Sequence, residues 1–290
     1  MPDAGLCAQI ACIWEATARK PGNVHRYCDF ADTSYTDFLL SAAAIAPVMA
    51  TACQRRVGAT VLEAVRATRR VVGTNTNLGI VLLLAPLASV PPEEDLHMGV
   101  QRVLAGLDVE DARLVYEAIR LASPGGLGRA AEQDVYAEPT ETLRQAMVLA
   151  ADRDLVARQY ANGFVEVFED GVPAVRVGLE RTGSREGAII FAHLNLMAFH
   201  PDTLIARKRG RAEAEEAARR ARGVLDADWP REPASWGAMK EFDAWLRAEG
   251  HARNPGATAD LLTACLFVLL RANTITLPSR SPWAAGFEHD

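Results

Sequence analysis

Aromatic residues make up only 7% of the 290-residue chain, and its five cysteines (Cys7, Cys12, Cys28, Cys53 and Cys265) show no Cys-x-x-Cys spacing. An odd, scattered set argues against a disulfide framework and against a structural zinc site. Buried free thiols in a reducing cytoplasm are the expectation instead. Also missing is a basic-then-apolar leader. The longest apolar run, Leu78 to Leu87, is too short to span a bilayer. There is no surplus of positive charge: the formal net charge is −6, which argues against a general nucleic-acid or anionic-membrane surface but leaves room for a local basic pocket. No GxSxG, P-loop, GxGxxG or HExxH occurs, and the six histidines are scattered. A soluble, cytoplasmic protein acting on small molecules, without a nucleic-acid or membrane partner, is the expectation that remains.

What is present is apolar surface at helical period, with hydrophobic residues at 49%. Leu6, Ile10, Ile13 and Trp14 share one face of a first helix that stops at Lys20-Pro21-Gly22. A second starts near Asp32-Thr33-Ser34, buries Phe38, Leu39, Ala42, Ile45 and Met49, and should kink at Pro47. Val57, Val61, Leu62, Val65 and Val72 mark a third, and Asn77 to Ala88 a fully buried fourth. After Pro91-Pro92 come a helix from Glu94 to Ala105 and one capped by Asp108, which ends in a long loop from Ser123 through Gly128. A helix from Thr140 runs through Asp154 towards Phe168 with a local bend. Residues 169–173 read as a turn, and Ala174 to Val177 as the one plausible strand, too short to found a sheet. Helices at Ala188–Ala198, Glu213–Arg222, Lys240–Ala248 and Ala257–Ala272 complete a single all-α domain over 1–290, with a loose tail from Ser279.

Polar residues interrupt this pattern at helix ends. In 254–262, a Pro-Gly turn (Asn254-Pro255-Gly256) delivers the chain into a buried helix, whose first turn offers free N–H groups and a positive dipole end suited to phosphate. Thr258 contacts that phosphate or caps the helix. Asp260, read as lying in the same turn, complements the dipole or holds a metal shared with the phosphates. Lys20, Gly22, His25 and Arg26 form either a cationic phosphate loop or a solvated helix end, with Glu15 one turn back as a ligand for a divalent ion. Thr74-Asn75-Thr76-Asn77 precedes a buried helix. Capping needs only one of these four, so the run reads as a site for an anion or sugar hydroxyl. Asp152 and Asp154 share a helix face only if the backbone bends, and one of them suits an ion pair with an arginine. Asp202 starts a helix that carries Arg207, Lys208 and Arg209 two turns later. Carboxylates beside Gly-rich helix starts, with scattered cations, suggest Mg²⁺ and a polyphosphate ligand. Segments 20–25, 73–79, 202–208 and 254–260 are therefore expected to line one cleft.

Taken in order, these segments resemble the triphosphoribosyl-dephospho-CoA synthase family. Lys20-Pro21-Gly22 matches its Lys-Pro-Gly segment, Gly73 to Gly79 its Gly-Val-Asn-Thr-His-Lys-Gly segment, and Asp202-Thr203 through Arg207 and Gly210 a later Asp-Thr/Ser segment. Residues 254–262 are similar to its Ser-Pro-Gly-Gly-Ser/Ala-Ala-Asp-Leu-Leu signature. The family's His-Lys pair is Asn77-Leu78 here, and no acidic residue follows Asn23-Val24, where the family has Leu-Val and then an acid. Ile119 to Gly128 and Ala151 to Tyr160 look like a divergent branch found in archaea and some bacteria with C1 pathways.

The resemblance implies an all-helical fold and attack of the ribose 2′-hydroxyl of dephospho-CoA on C1′ of ATP, with adenine released and the triphosphate kept. On that reading Asp202 and Asp260 bind Mg²⁺ or stabilise the sugar cation. The turn at 254–258, including Gly256 and Thr258, holds phosphates with Lys20, Gly22, His25, Arg207 and Lys208. Glu15 or Asp154 is the base, and Asn75, Thr76 and Asn77 contact sugar or adenine. The alternatives are the same transfer to another acceptor, such as a C1-metabolism cofactor precursor, or a non-catalytic nucleotide-binding protein. A homo-oligomer is left open.

Overall fold

The computed structural model describes residues 3–123, 133–279 and 281–284. Its helices are α1 (Ala4–Thr17), α2 (Tyr35–Ala50), α3 (Val57–Arg69), α4 (Leu78–Ala88), α5 (Leu96–Ala105), α6 (Val109–Ala122), α7 (Leu143–Ala150), α8 (Leu155–Asn162), α9 (Val172–Thr182), α10 (Arg185–Phe199), α11 (Thr203–Arg209), α12 (Arg211–Asp226), α13 (Pro233–Arg247) and α14 (Gly256–Arg271). No strand occurs among the described residues, and the fold is all-α. No single described helix is long and apolar enough to cross a membrane.

Short polar side chains start these helices by accepting the first free N–H groups: Asp3, Ser34, Asp95, Asp108, Thr142, Asp154, Ser184 and Asp202 all do so. At Ser34, Asp108 and Thr142 the third residue returns the bond and completes a capping box. Helices α4 and α14 are apolar on every side and so must be surrounded. In α4 every residue but Gly79 is buried, and in α14 every residue but Gly256 and Asp260. Helix α10 faces two ways. Ala188, Ile189, Ala192 and Leu196 join the large core around α4 and α14, while Ile190, Phe191, Leu194 and Met197 join a second core with Trp229, Phe242 and Leu246 beneath α11–α13.

Several expectations are corrected. The helix expected from Thr140 towards Phe168 is two, because Asp154 caps a new start by accepting Val156 N–H at 2.8 Å and Ala157 N–H at 3.1 Å, and Gly163 ends it at positive φ. Residues 169–177 hold neither turn nor strand. A π-helical turn at Glu166–Gly171 runs straight into α9, whose Val172, Ala174, Val175 and Gly178 are buried, so tertiary burial overrides the β-preference of the valines. Pro47 lies inside α2, as expected, and the helix runs on to Ala50. Of the thiols, Cys7, Cys12 and Cys265 are buried, but Cys53 is exposed, and none is bridged. The loop expected at 123–128 lies outside the described residues beyond Ser123. The tail is not loose where it is described: the carbonyls of Pro282 and Trp283 accept the N–H groups of Arg185 and Glu186 at the start of α10.

Gly5 shows how closely α1 and α2 approach. A Cβ there would overlap the Ala46 carbonyl and sit 2.8 Å from Ala50 Cβ, whereas a Cβ on exposed Gly223 in α12 meets nothing within 4 Å. Gly5→Ala should therefore lower stability by about 1–3 kcal/mol. Gly223→Ala should raise it by up to about 1 kcal/mol through helix propensity. Chemical denaturation of the two variants reads both signs, and equal shifts would refute the close approach.

Candidate active site

The starts of α4, α8, α11 and α14 converge with the end of α1 on one cleft of ≈ 1600 Å³. All four expected segments reach it, through Asn23 and Val24, through 73–79, through Thr203, Leu204, Arg207 and Lys208, and through Asn254, Gly256 and Asp260. The unburied positions of the two central helices, Gly79, Gly256 and Asp260, all lie on its wall. A Cβ on Gly79 would overlap Asp260 Oδ2, so the carboxylate rests against the first turn of α4. Asp260 is thus the fifth residue of α14 rather than a member of its first turn, and the dipole it meets is that of a different helix. No hydrogen bond or ion pair is found for its carboxylate among the described residues. Enclosure, and then the negative charges of Glu15, Asp202 and Asp154, push its pKa well above the usual aspartate value, while Arg207 pulls the other way.

The other expected carboxylates have partners. Glu15 lines the cleft but is buried and paired with Lys20 Nζ at 3.0 Å; burial raises its pKa and Lys20 lowers it. Asp154 uses Oδ1 for its cap and turns Oδ2 towards Arg207 at 3.9 Å, on the cleft wall. Asp202 is fully buried and lies off the cleft wall. Its Oδ1 accepts Leu204 and Ile205 N–H at 2.8 and 3.0 Å, and its Oδ2 accepts Thr258 N–H and Oγ1–H at 2.7 and 2.8 Å. Four donors saturate it, so the expected catalytic and metal roles of Asp202 are corrected to a staple between the starts of α11 and α14.

The expected phosphate loops change as well. Lys20 is sealed from solvent, donating to the Glu15 and Ala18 carbonyls, and has no path to the cleft. Gly22, at φ +74°, donates to Asp243 Oδ1 at 2.7 Å, and a Cβ there would meet Leu246 Cδ1 at 2.7 Å. His25 is off the cleft. Burial and then the nearby Arg247, Lys20, Arg26 and Arg19 push its pKa down to about 3, so it is neutral and no phosphate cation. Thr258 faces Asp202, and a Cβ on Gly256 would sit 2.6 Å from Leu204 Cδ2, so the first turn of α14 is closed by the protein's own carboxylate. Asn75 Oδ1 accepts Leu78 N–H at 3.1 Å, Thr76 bonds Ser41 Oγ at 2.6 Å and Asn77 Nδ2 donates to Thr68 Oγ1 at 3.0 Å, so each gives one side-chain bond to the fold while lining the cleft.

Arg207 and Lys208 do line the cleft, joined by Arg69, Arg153, Arg158 and Arg211. Lys208 Nζ also donates to the His251 carbonyl at 3.1 Å. Reading the sequence missed Arg69 and Arg211, whose places depend on packing, and carried Asn23 only as part of the segment 20–25, without a role of its own. Asn23 Oδ1 and Thr74 Oγ1 are buried atoms of the cleft wall without a hydrogen-bond partner.

Among the described residues no group of three or more His, Cys, Asp or Glu side chains is placed to hold a metal ion. Mg²⁺ asks less, because it is often held by one or two carboxylates together with substrate phosphates. Asp260, unpaired, and Asp154, with Oδ2 free of its cap, fit that requirement, and Asp202 does not.

Residues 1–277 match the family described as CitG: ATP:dephospho-CoA triphosphoribosyl transferase. The chain belongs to this family. One CitG-family relative, from Pseudomonas paraeruginosa and named a probable 2-(5''-triphosphoribosyl)-3'-dephosphocoenzyme-A synthase, is 32% identical over 113 residues. Those residues are 39% of this chain and 38% of the relative, so the match spans well under half of its length. A crystal structure from Archaeoglobus fulgidus, provisionally named triphosphoribosyl-dephospho-CoA synthase, superposes with a TM-score of 0.60 at 25% identity, covering 80% of this chain and 97% of that one.

In this CitG-family cleft, Asp202 and Asp260 should respond oppositely to substitution. Asp202→Ala removes the caps of two helices at once and should lower stability by about 1–4 kcal/mol. Asp260 carries a raised folded-state pKa, so above the ordinary value of 3.8 the native state holds the extra proton and stability falls as pH rises. Asp260→Asn should therefore melt above wild type at neutral pH, with the gain vanishing below pH 3.8. Melting curves from pH 3 to 8 check both signs. A neutral-pH loss in Asp260→Asn would show that the carboxylate is a structural partner after all.

Proposed function

We propose that the chain transfers the triphosphoribosyl group of ATP to a hydroxyl of dephospho-CoA. Family membership supports the reaction class. The observation that carries the site is Asp260: an unpaired, enclosed carboxylate at the point where both central helices open onto a cleft large enough for two substrates. One small-molecule site occupies about 300–1,000 Å³, and ≈ 1600 Å³ exceeds that.

In the reaction the acceptor oxygen bonds to C1′ of the ATP ribose, the C1′–N9 bond breaks with its electron pair leaving on adenine, and the acceptor hydroxyl loses its proton. Asp260 takes that proton, and the departing adenine takes one up, so that neutral adenine is released. A carboxylate whose pKa is raised above the usual aspartate value is a better base than an ordinary aspartate, and the negative field of its neighbours favours the oxocarbenium-like charge at C1′. Glu15 is held by Lys20 and supplies field rather than proton transfer. Arg207 and Lys208, which also line the cleft, hold the triphosphate. Asp154 beside them would hold Mg²⁺ with the phosphates, where the ion would neutralise phosphate charge.

The test is adenine release from ATP in the presence of dephospho-CoA. Asp260→Asn should lower turnover by about 10²–10⁴ while the protein stays folded. Excess chelator should abolish turnover, and full activity in its presence would remove Mg²⁺ from the scheme. Adenine release at the wild-type rate by Asp260→Asn would remove Asp260 from the chemistry.

A further inference from the structure

Asn23 and Asn254 lie 231 residues apart, and Asn23 Nδ2 donates to Asn254 Oδ1 at 2.7 Å on the cleft wall. Asn23 is 6% exposed, and its Oδ1 accepts nothing within the protein. A buried carbonyl oxygen left unmet is costly, and natural proteins rarely leave one without a purpose. Its position is fixed from both sides. Gly22 N–H is held by Asp243 Oδ1 at 2.7 Å, and the Asn23 carbonyl accepts from Arg247 Nη2 at 2.7 Å. Arg247 is in turn bound to Asp243 at 2.8 Å, so α13 clamps the loop at two points. The clamp sets the amide before any ligand arrives.

We infer that Asn23 is a specificity residue whose Oδ1 accepts a hydrogen bond from a neutral donor, a ribose hydroxyl or an exocyclic amine, on the nucleoside part of a substrate. An amide oxygen repels phosphate, so Oδ1 itself meets sugar or base rather than a phosphate oxygen. Asn254 orients the amide by occupying its N–H. The inference rests on the proposed reading of the cleft only in requiring a nucleoside ligand.

The experiment is equilibrium binding of ATP and dephospho-CoA, and of their 2′-deoxy, 3′-deoxy and 6-deamino forms, to the wild-type protein, Asn23→Leu and Asn23→Ala. For the wild type, the analogue lacking the group that meets Oδ1 should bind roughly 10-fold more weakly than its parent. In both variants that difference should disappear, and whichever parent shows it identifies the substrate that meets Asn23. Thermal melting confirms that the variants are folded, and Asn23→Ala serves if the larger leucine disturbs the loop. Tight ATP binding with the same discrimination in wild type and variants would overturn the role of Asn23 and leave the proposed function standing. Failure of the wild-type protein to bind either parent would overturn both.

Discussion

The Asp202 carboxylate holds the cleft together. One buried negative charge serves the positive ends of two helices, accepting two N–H groups of α11 through one oxygen and the N–H and hydroxyl of Thr258 in α14 through the other. Each helix start would otherwise leave orphan donors in a dry interior. Sharing one anion fixes the two axes relative to each other, and α11 then brings Arg207 and Lys208, and α14 brings Asp260, to the same cleft. A similar economy operates at the end of α1, where Lys20 and Glu15 neutralise one another out of solvent. A buried ion pair is weak support for stability, and the use of this one is positional: it turns a carboxylate towards the cleft while occupying the lysine entirely.

Much of the fold was legible because burial leaves a periodic trace. Helices α4 and α14 are apolar on all sides and could be placed from composition alone, and the caps at Ser34, Asp108 and Asp202 sit where short polar residues precede apolar runs. The failures share one cause. Val172 to Val177 look extended to a local reading, and only the packing of Gly171 against Cys265 and of Gly178 against α10 makes a helix of them. At the site, the sequence could say which segments carry polar residues, but not which atoms were already committed. Lys20, Asp202 and Thr258 look available in one dimension and are committed in three. Asn23 looks like a turn residue and carries an unmet oxygen.

The charge of the cleft is mixed, and that balance bears on any ligand it takes. Its cations are already bonded to carbonyls or carboxylates: Arg207 to Asp154, Lys208 to the His251 carbonyl, Arg69 to the Gly73 carbonyl. A polyphosphate must share these partners rather than find bare charge, which favours entry with a bound cation over entry as a free anion. Asp260, by contrast, is a local conflict that packing tolerates at a stability cost, and functional residues are where folded proteins keep such conflicts.

The grip of α13 on the Gly22-Asn23 loop has a consequence in genetic terms. Asp243 and Arg247 belong to an outer layer, over the second core, and neither lines the cleft. Yet they set the tilt of an amide that does. Inherited variation at these two positions would therefore sort with lesions of substrate choice rather than with lesions of folding. A reader ranking residues by distance from the ligand would pass over both.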